Sequence, residues 1–333
     1  MKRVVLLDDL KESDIRPDHV YSEYKEILEN DIKKHFSDAA ELVDVNCPGC
    51  GANESPVEFK KMGFNFRRCS ACDSLYVSPR PKEEDLKRFH KESQSSIFLR
   101  NKFLGDTSEL RSEKIFSYRI QWIIGLVQEH LPDAKVFLDY VTRLPIFLRE
   151  LSEEEIFENI LSIFSECDQK ENLFPANVKQ ISEIENESVD VFAISEQIER
   201  AFDPLQLIKD AYAACKKGGL CIITTTASSG FEYKVLGEHS PNAMPFEKIN
   251  ILSLDAMIKQ LEAVGFEVIE ASTPGRLDVE IVKKTYAKNP DIPLGPFERH
   301  LLNNGSKEAL HYFQEYLQQF QMSSHVRIAA IKR

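Results

Sequence analysis

Four cysteines, Cys47, Cys50, Cys69 and Cys72, constrain this chain more than any other feature. They read C-P-G-C and C-S-A-C, with eighteen residues between the pairs. Two C-x-x-C pairs at this separation match the tetrahedral all-cysteine zinc site, in which each of two hairpin knuckles gives two thiolates to one Zn²⁺. Each pair must turn tightly so that both sulfurs face one ion. Pro48 and Gly49 sit inside the first turn, and Gly51 just after it can take positive φ at little cost. The alternative is four unrelated buried cysteines. A closed four-thiolate site leaves no coordination position for substrate, so the zinc is expected to be structural. The knuckles tell how a small ribbon folds; they do not tell what the protein does.

The length, 333 residues, suggests two domains or one large domain with an appendage. A hydrophobic content of 42% supports a substantial core. No apolar run approaches the roughly 18 residues needed to cross a bilayer, so no membrane span is expected. The opening run Val4–Leu7 is halted by Asp8 and Asp9 and does not read as a signal peptide. Seven cysteines, four of them in a metal pattern, fit a reducing cytoplasm. The other three, Cys167, Cys215 and Cys221, read as small buried hydrophobes. A net charge of −12 argues against a nucleic-acid partner, which calls for a basic footprint. Arg67, Arg68, Arg80 and Lys82 cluster around the ribbon and read as a solvated face.

Hydrophobic periodicity divides the chain into four stretches. Residues 1–45 form an N-terminal helical segment, with Val20, Tyr24, Ile27, Leu28, Ile32 and Phe36 on one stripe of a helix over 17–45. Residues 46–81 form the ribbon, 82–132 a helical connector and 133–333 an α/β domain. In the last stretch, strands are expected at Lys135–Asp139, Val189–Ile194, Leu220–Thr226 and Phe266–Ala271. A helix begins at Pro145. Another is capped by Asp203 with Pro204 as first residue, and is expected to run through Cys215 to Gly218-Gly219. A third runs from Ser253 to Gly265. Val326–Ile331 reads as a last strand, with an antiparallel edge as one option. Residues 152–180 are ambiguous. Strands alternating with helices of this length specify a parallel sheet with helices on both faces.

The stretch S-V-D-V-F-A-I-S-E-Q-I-E-R-A-F-D-P-L, then K-K-G-G-L-C-I-I-T-T-T, then L-D-A-M-I-K-Q-L-E-A-V-G-F-E-V-I-E-A resembles the second half of class I S-adenosylmethionine-dependent methyltransferases. The ribbon followed by L-Y-V-S-P-R-P-K is similar to the front of a bacterial subgroup of them, whose members often accompany surface-glycan or sugar-biosynthesis enzymes. The likeness is specific over 47–125 and 187–285. It implies a Rossmann-like methyltransferase sheet behind a zinc ribbon and helical segments. It also implies S-adenosylmethionine held where the first strand of the sheet ends, in a pattern like L-D-x-G-x-G-x-G.

This chain has Leu138-Asp139-Tyr140-Val141-Thr142-Arg143-Leu144-Pro145 at that place. The acid survives as Asp139, the candidate cofactor contact. Val141, Arg143 and Pro145 stand at the glycine positions. A β-branched residue and an arginine do not take positive φ cheaply, and proline lacks an N–H. Two histidines common in the family are replaced by Arg200 and Lys248. The ribose-binding acid would be Glu166 or Asp168. On the acceptor side, the turn Thr273-Pro274-Gly275 leads to Arg276 and Asp278, which could hold a polar ligand. Two readings follow. In one, the site is degenerate and the protein is a non-catalytic binding or scaffolding partner of a small molecule or a related enzyme, alone or as an oligomer. In the other, it is an active, divergent methyltransferase acting on a sugar or another small acceptor.

Overall fold

A computed structural model describes residues 4–6, 10–36, 41–141, 145–163 and 177–333. Helix α1 (Asp18–His35) is followed by the ribbon strands β1 (Val57–Lys61), β2 (Phe64–Arg68) and β3 (Leu75–Val77). A helical connector ends in α2 (Ser117–His130). The α/β part then runs β4 (Val136–Asp139), α3 (Pro145–Glu153), β5 (Asn159–Ile163), β6 (Val178–Ile181), β7 (Val189–Ser195), α4 (Pro204–Ala214) and β8 (Cys215–Thr226). It closes with β9 (Asn250–Ile251), α5 (Leu254–Val264), β10 (Phe266–Ser272), α6 (Asp278–Lys288), α7 (Lys307–Gln319) and β11 (His325–Lys332).

Seven of these strands form one sheet in the order β10-β11-β8-β7-β4-β5-β6. The pairs β8·β7, β7·β4, β4·β5 and β5·β6 are parallel, and β11 is antiparallel to both its neighbours. The central strands read as nearly unbroken apolar runs because both faces are covered. On one face Leu207, Ile208 and Ala211 of α4 and Met257 and Leu261 of α5 pack on Ile223 and Ile328. On the other, Ile120, Ile123 and Val127 of α2 and Leu148 and Leu151 of α3 pack on Phe137, Ile222 and Ala329. Chain order reverses between β4 and β7, so a crevice opens beyond their C-terminal ends, the place where open α/β sheets bind ligands.

Three sequence expectations need correction. The first helix stops at His35, with Phe36 as its cap; residues 37–40 lie outside the described residues, and Leu42–Val43 instead pairs with Arg80–Pro81. Helix α4 stops at Ala214, because Cys215 already pairs with Val189 of β7. The register then shifts before Leu220, in a bulge that contains Gly218 at φ +82°. The last strand is internal, not an edge. Val326, Ile328, Ala329 and Ala330 are wholly buried, and a strand apolar on both faces needs neighbours on both sides.

The ribbon is not a separate bead. Strand β9, from deep in the α/β part, pairs antiparallel with β3 and completes a four-stranded sheet β9-β3-β2-β1. Tyr24 and Leu28 of α1, Phe64 and Phe66 of β2, Phe89, and Met244 and Phe246 share one core. Phe246 stacks on Phe36 with ring centroids 4.8 Å apart and lies 4.6 Å from Phe89.

Candidate functional site

The four cysteine sulfurs lie within 4.8 Å of one another. Cys47 Sγ is 3.5 Å from Cys72 Sγ, and Cys50 Sγ is 3.5 Å from Cys69 Sγ. A tetrahedron with Zn–S bonds of about 2.3 Å has edges of about 3.8 Å, so the set fits one ion. The two knuckles share one backbone pattern. Gly51 N donates to Cys47 O (2.7 Å) and Asp73 N to Cys69 O (2.8 Å), while Cys47 N donates to Ala52 O and Cys69 N to Ser74 O, each 2.9 Å. Gly51 (φ +77°) and Asp73 (φ +63°) occupy equivalent left-handed positions, which glycine and aspartate tolerate. Gly49 has no room for a side chain: a Cβ there would lie 2.5 Å from Ser74 Oγ and 3.1 Å from Ala256 Cβ. The knuckles dock along α5, where the N-cap Ser253 Oγ donates to Cys72 O (2.6 Å) and, farther along the helix, Gln260 Nε2 to Pro48 O (2.6 Å).

Of the basic residues around the ribbon, the three arginines are engaged with the protein's own groups and only Lys82 lies on a solvated face. Arg67 donates to Ser55 O and Ser78 O, Arg68 pairs with Glu58 and Asp73, and Lys82 pairs with Glu41. Arg80 is buried and donates to Asn250 Oδ1 (2.8 Å) and Phe202 O (2.5 Å).

Beyond β4 and β7 the crevice is shaped by two turns. Asp139 ends β4 with only 1% of its surface exposed. Tyr140 N donates to Ala193 O (2.8 Å), and its ring stacks on Phe192. Val141 has φ +55° and Glu196, after β7, has φ +56°. Gln197 Nε2 donates to Val141 O (2.8 Å) and ties one turn to the other. Thus Val141 takes the left-handed backbone that a glycine would supply cheaply, and adds a branched side chain to it. Pro145 begins α3, where a missing N–H costs little. Arg143, Glu166, Asp168 and Cys167 lie outside the described residues.

A cavity of about 260 Å³ lies beside this crevice, at the C-terminal ends of β7 and β8 and the start of β11. Arg276 and Asp278 both line it. The Asp278 carboxylate is fully engaged within the protein: it accepts from Ser323 Oγ (2.5 Å), Ser324 N (2.7 Å), Ser324 Oγ (2.5 Å) and Gln314 Nε2 (3.2 Å). It therefore anchors the approach to β11 and has little left for a ligand. Arg276 donates to Lys114 O and lies over the Tyr118 ring, and burial lowers its pKa to about 10.

Arg200 and Lys248, the two cations singled out in the sequence, form crossed ion pairs, with Glu199, Glu247 and Lys248 in the wall of the cavity. Arg200 pairs with Glu247, and Lys248 with Glu199 (3.7 Å). Lys248 Nζ also donates to Thr226 Oγ1 (2.8 Å), and Thr225 Oγ1 donates to Glu199 (2.6 Å). Burial alone would lower the Arg200 pKa, but Glu247 outweighs it and holds the guanidinium charged.

Sequence reading missed the basic side of this cavity. Arg119 of α2 and His325 and Arg327 of β11 all line it. Arg119 Nη2 pairs with Glu196 (3.0 Å). Burial, with Arg119 and Arg327 next in effect, drives the His325 pKa down to about 3. Burial, then Arg119 and Arg276, lowers that of Arg327 to about 9. A signal was present: Arg327 interrupts the otherwise apolar run V-R-I-A-A-I.

With this geometry in view, residues 115–271 match the family model of a methyltransferase domain. Over those residues, just under half of the chain, the protein is similar to a methyltransferase domain, and a four-cysteine ribbon stands in front of it. Among characterised folds it is similar to a Haemonchus contortus phosphoethanolamine N-methyltransferase 2, bound there to phosphomonomethylethanolamine and S-adenosylhomocysteine (17% identity, 78% of this chain and 63% of that one, TM-score 0.47). It is also similar to a methyltransferase of Thermotoga maritima (14%, 71% and 98%, TM-score 0.41). In sequence it matches an uncharacterised protein of Methanocaldococcus jannaschii at 28% identity over 103 residues, 31% of this chain. The chain spans half the length of that relative. Among the described residues no helix is long and apolar enough to cross a membrane.

Proposed function

We propose that this protein keeps the methyltransferase fold as a binding scaffold. The cavity beside the sheet takes a small polar molecule, the cofactor crevice does not hold S-adenosylmethionine, and the ribbon carries a structural Zn²⁺. The setting that the sequence resemblance implies is surface-glycan or sugar biosynthesis. One observation supports this reading above others: Val141 sits in the left-handed turn with its carbonyl taken by Gln197, so a branched side chain stands where the cofactor's backbone cradle would be. Melting curves test it. Ligand at about 100 times its Kd adds about 2.7 kcal/mol of stability. No shift is expected with S-adenosylmethionine or S-adenosylhomocysteine. A micromolar Kd for either overturns the reading.

The second reading, an active divergent methyltransferase, is favoured by the backbone itself. Val141 preserves the turn's shape, and the acceptor-side cavity is intact. Methyl transfer depends chiefly on positioning, so loss of two histidines is tolerable where the nucleophile need not lose a proton. Turnover with a panel of sugar acceptors would establish it.

A further inference from the structure

The cavity has a basic floor that the scaffold itself does not explain. Arg327 projects from β11 with 5% of its surface exposed, lines the cavity, and has a buried Nε with no hydrogen-bond partner among the described residues. The Trp122 ring lies 5.4 Å from its guanidinium carbon. Glu270, held by Trp122 Nε1 at 2.9 Å, offsets part of the charge. Arg119, 4% exposed, is paired with Glu196 through Nη2, while its buried Nε has no hydrogen-bond partner among the described residues. Arg276 faces the same space and donates through Nη2 to Lys114 O. Arg119 and Arg276 both lie close enough to Arg327 to oppose its charge. A buried guanidinium with an unpartnered Nε, as in Arg119 and Arg327, is costly unless something satisfies it. The planar fork of arginine suits a carboxylate or phosphate, which accepts two parallel N–H bonds.

We propose that Arg327, with Arg119 and Arg276, forms an oxyanion subsite, so that the molecule taken by this cavity carries a carboxylate or phosphate group. The inference rests on the reading of the cavity as a small-molecule site. It does not depend on whether the neighbouring crevice binds S-adenosylmethionine.

Trp122 is the only tryptophan in the chain and lies against Arg327, so its fluorescence reports on this site. The full-length protein is titrated separately with inorganic phosphate, glucuronate and uncharged glucose at constant ionic strength. A saturable change in Trp122 emission is expected with phosphate or glucuronate and not with glucose; which anion responds identifies the group. Arg327→Met should weaken that response at least tenfold while zinc content and circular dichroism stay unchanged. If Arg327→Met does not fold, Arg276→Gln at the same cavity is read in its place. The proposal is overturned if neither anion gives a saturable response, if glucose responds equally, or if the variant responds like the parent protein. An S-adenosylmethionine titration run alongside reads the crevice alone, so failure there leaves this result standing.

Discussion

At Val141 a branched residue holds a left-handed backbone that glycine takes at little cost. A non-glycine residue in the left-handed region costs roughly 1–2 kcal/mol, and β-branching makes it worse. Glycine would return part of that gain through its larger unfolded-state entropy, about 0.5–1 kcal/mol. Val141→Gly is therefore expected to raise stability by about 0.5–1 kcal/mol in urea unfolding; a destabilised variant would mean that the valine side chain is needed for packing in the turn. His325 is a second residue with a measurable signature. Burial and the charges of Arg119, Arg327 and Lys248, opposed by Glu196, depress its pKa from 6.5 to about 3. Between those values the unfolded chain binds a proton that the folded protein does not, so stability must fall as pH drops below about 6.5. The slope approaches about 1.4 kcal/mol per pH unit for one proton. His325→Gln should remove that slope between pH 6 and 5, measured by denaturant unfolding at each pH; an unchanged slope assigns the effect elsewhere.

At the scale of elements, the crossed pairs Arg200–Glu247 and Lys248–Glu199 clamp the segment after β7 to the segment before β9. Asn250 adds to the clamp, donating to Ala201 O (2.6 Å) and Ile198 O (3.3 Å) while accepting from Arg80. Removing one partner of a largely buried pair strands the other charge. Arg200→Ala is expected to cost about 2–3 kcal/mol, discounted for side chains still 17% and 14% exposed. The double variant with Glu247→Ala should recover most of the loss; simple addition of the two single losses would mean that the pair is not coupled. Much of this was readable beforehand. The resemblance singled out Arg200 and Lys248, and Asp203-Pro204 and Ser253 cap their helices as expected: Asp203 Oδ1 accepts from Gln206 N and Ser253 Oγ from Ala256 N. What was not readable is who meets whom. Residues 199–200 and 247–248 meet where the ribbon sheet, completed by β9, packs beside the end of β7 in the other sheet, and Arg327 joins Arg119 only because β11 inserts between β8 and β10. A one-dimensional pattern carries periodicity and caps; it does not carry those long-range neighbours.

At the scale of the whole molecule, the ribbon and the α/β part share one structure. The pairing of β9 with β3, the seat of the knuckles on α5 and the common core around Phe246 leave no flexible joint between them. The two C-x-x-C pairs were plain in the sequence, because ligand spacing is local. Their coupling to residues 250–260 was not, because it joins segments about 180 residues apart. The consequence is thermodynamic. If the four thiolates hold a structural Zn²⁺, metal affinity becomes folding free energy, and here it should extend past the ribbon. One zinc per chain is expected by elemental analysis. Stripping it with a strong chelator, or making Cys69→Ser, should lower the melting temperature of the α/β part in the same cooperative step as the ribbon, with loss of Tyr76 protection in hydrogen exchange accompanied by loss at Asn250 and Ile251. Were the ribbon to melt alone while β9 and α5 stayed protected, the two parts would be independent, and the anchoring contacts of Ser253 and Gln260 would carry little energy. Cooperative melting would instead tie the shape of the ligand cavity to metal occupancy, because Lys248 and Glu247 in its wall immediately precede the strand that completes the ribbon sheet.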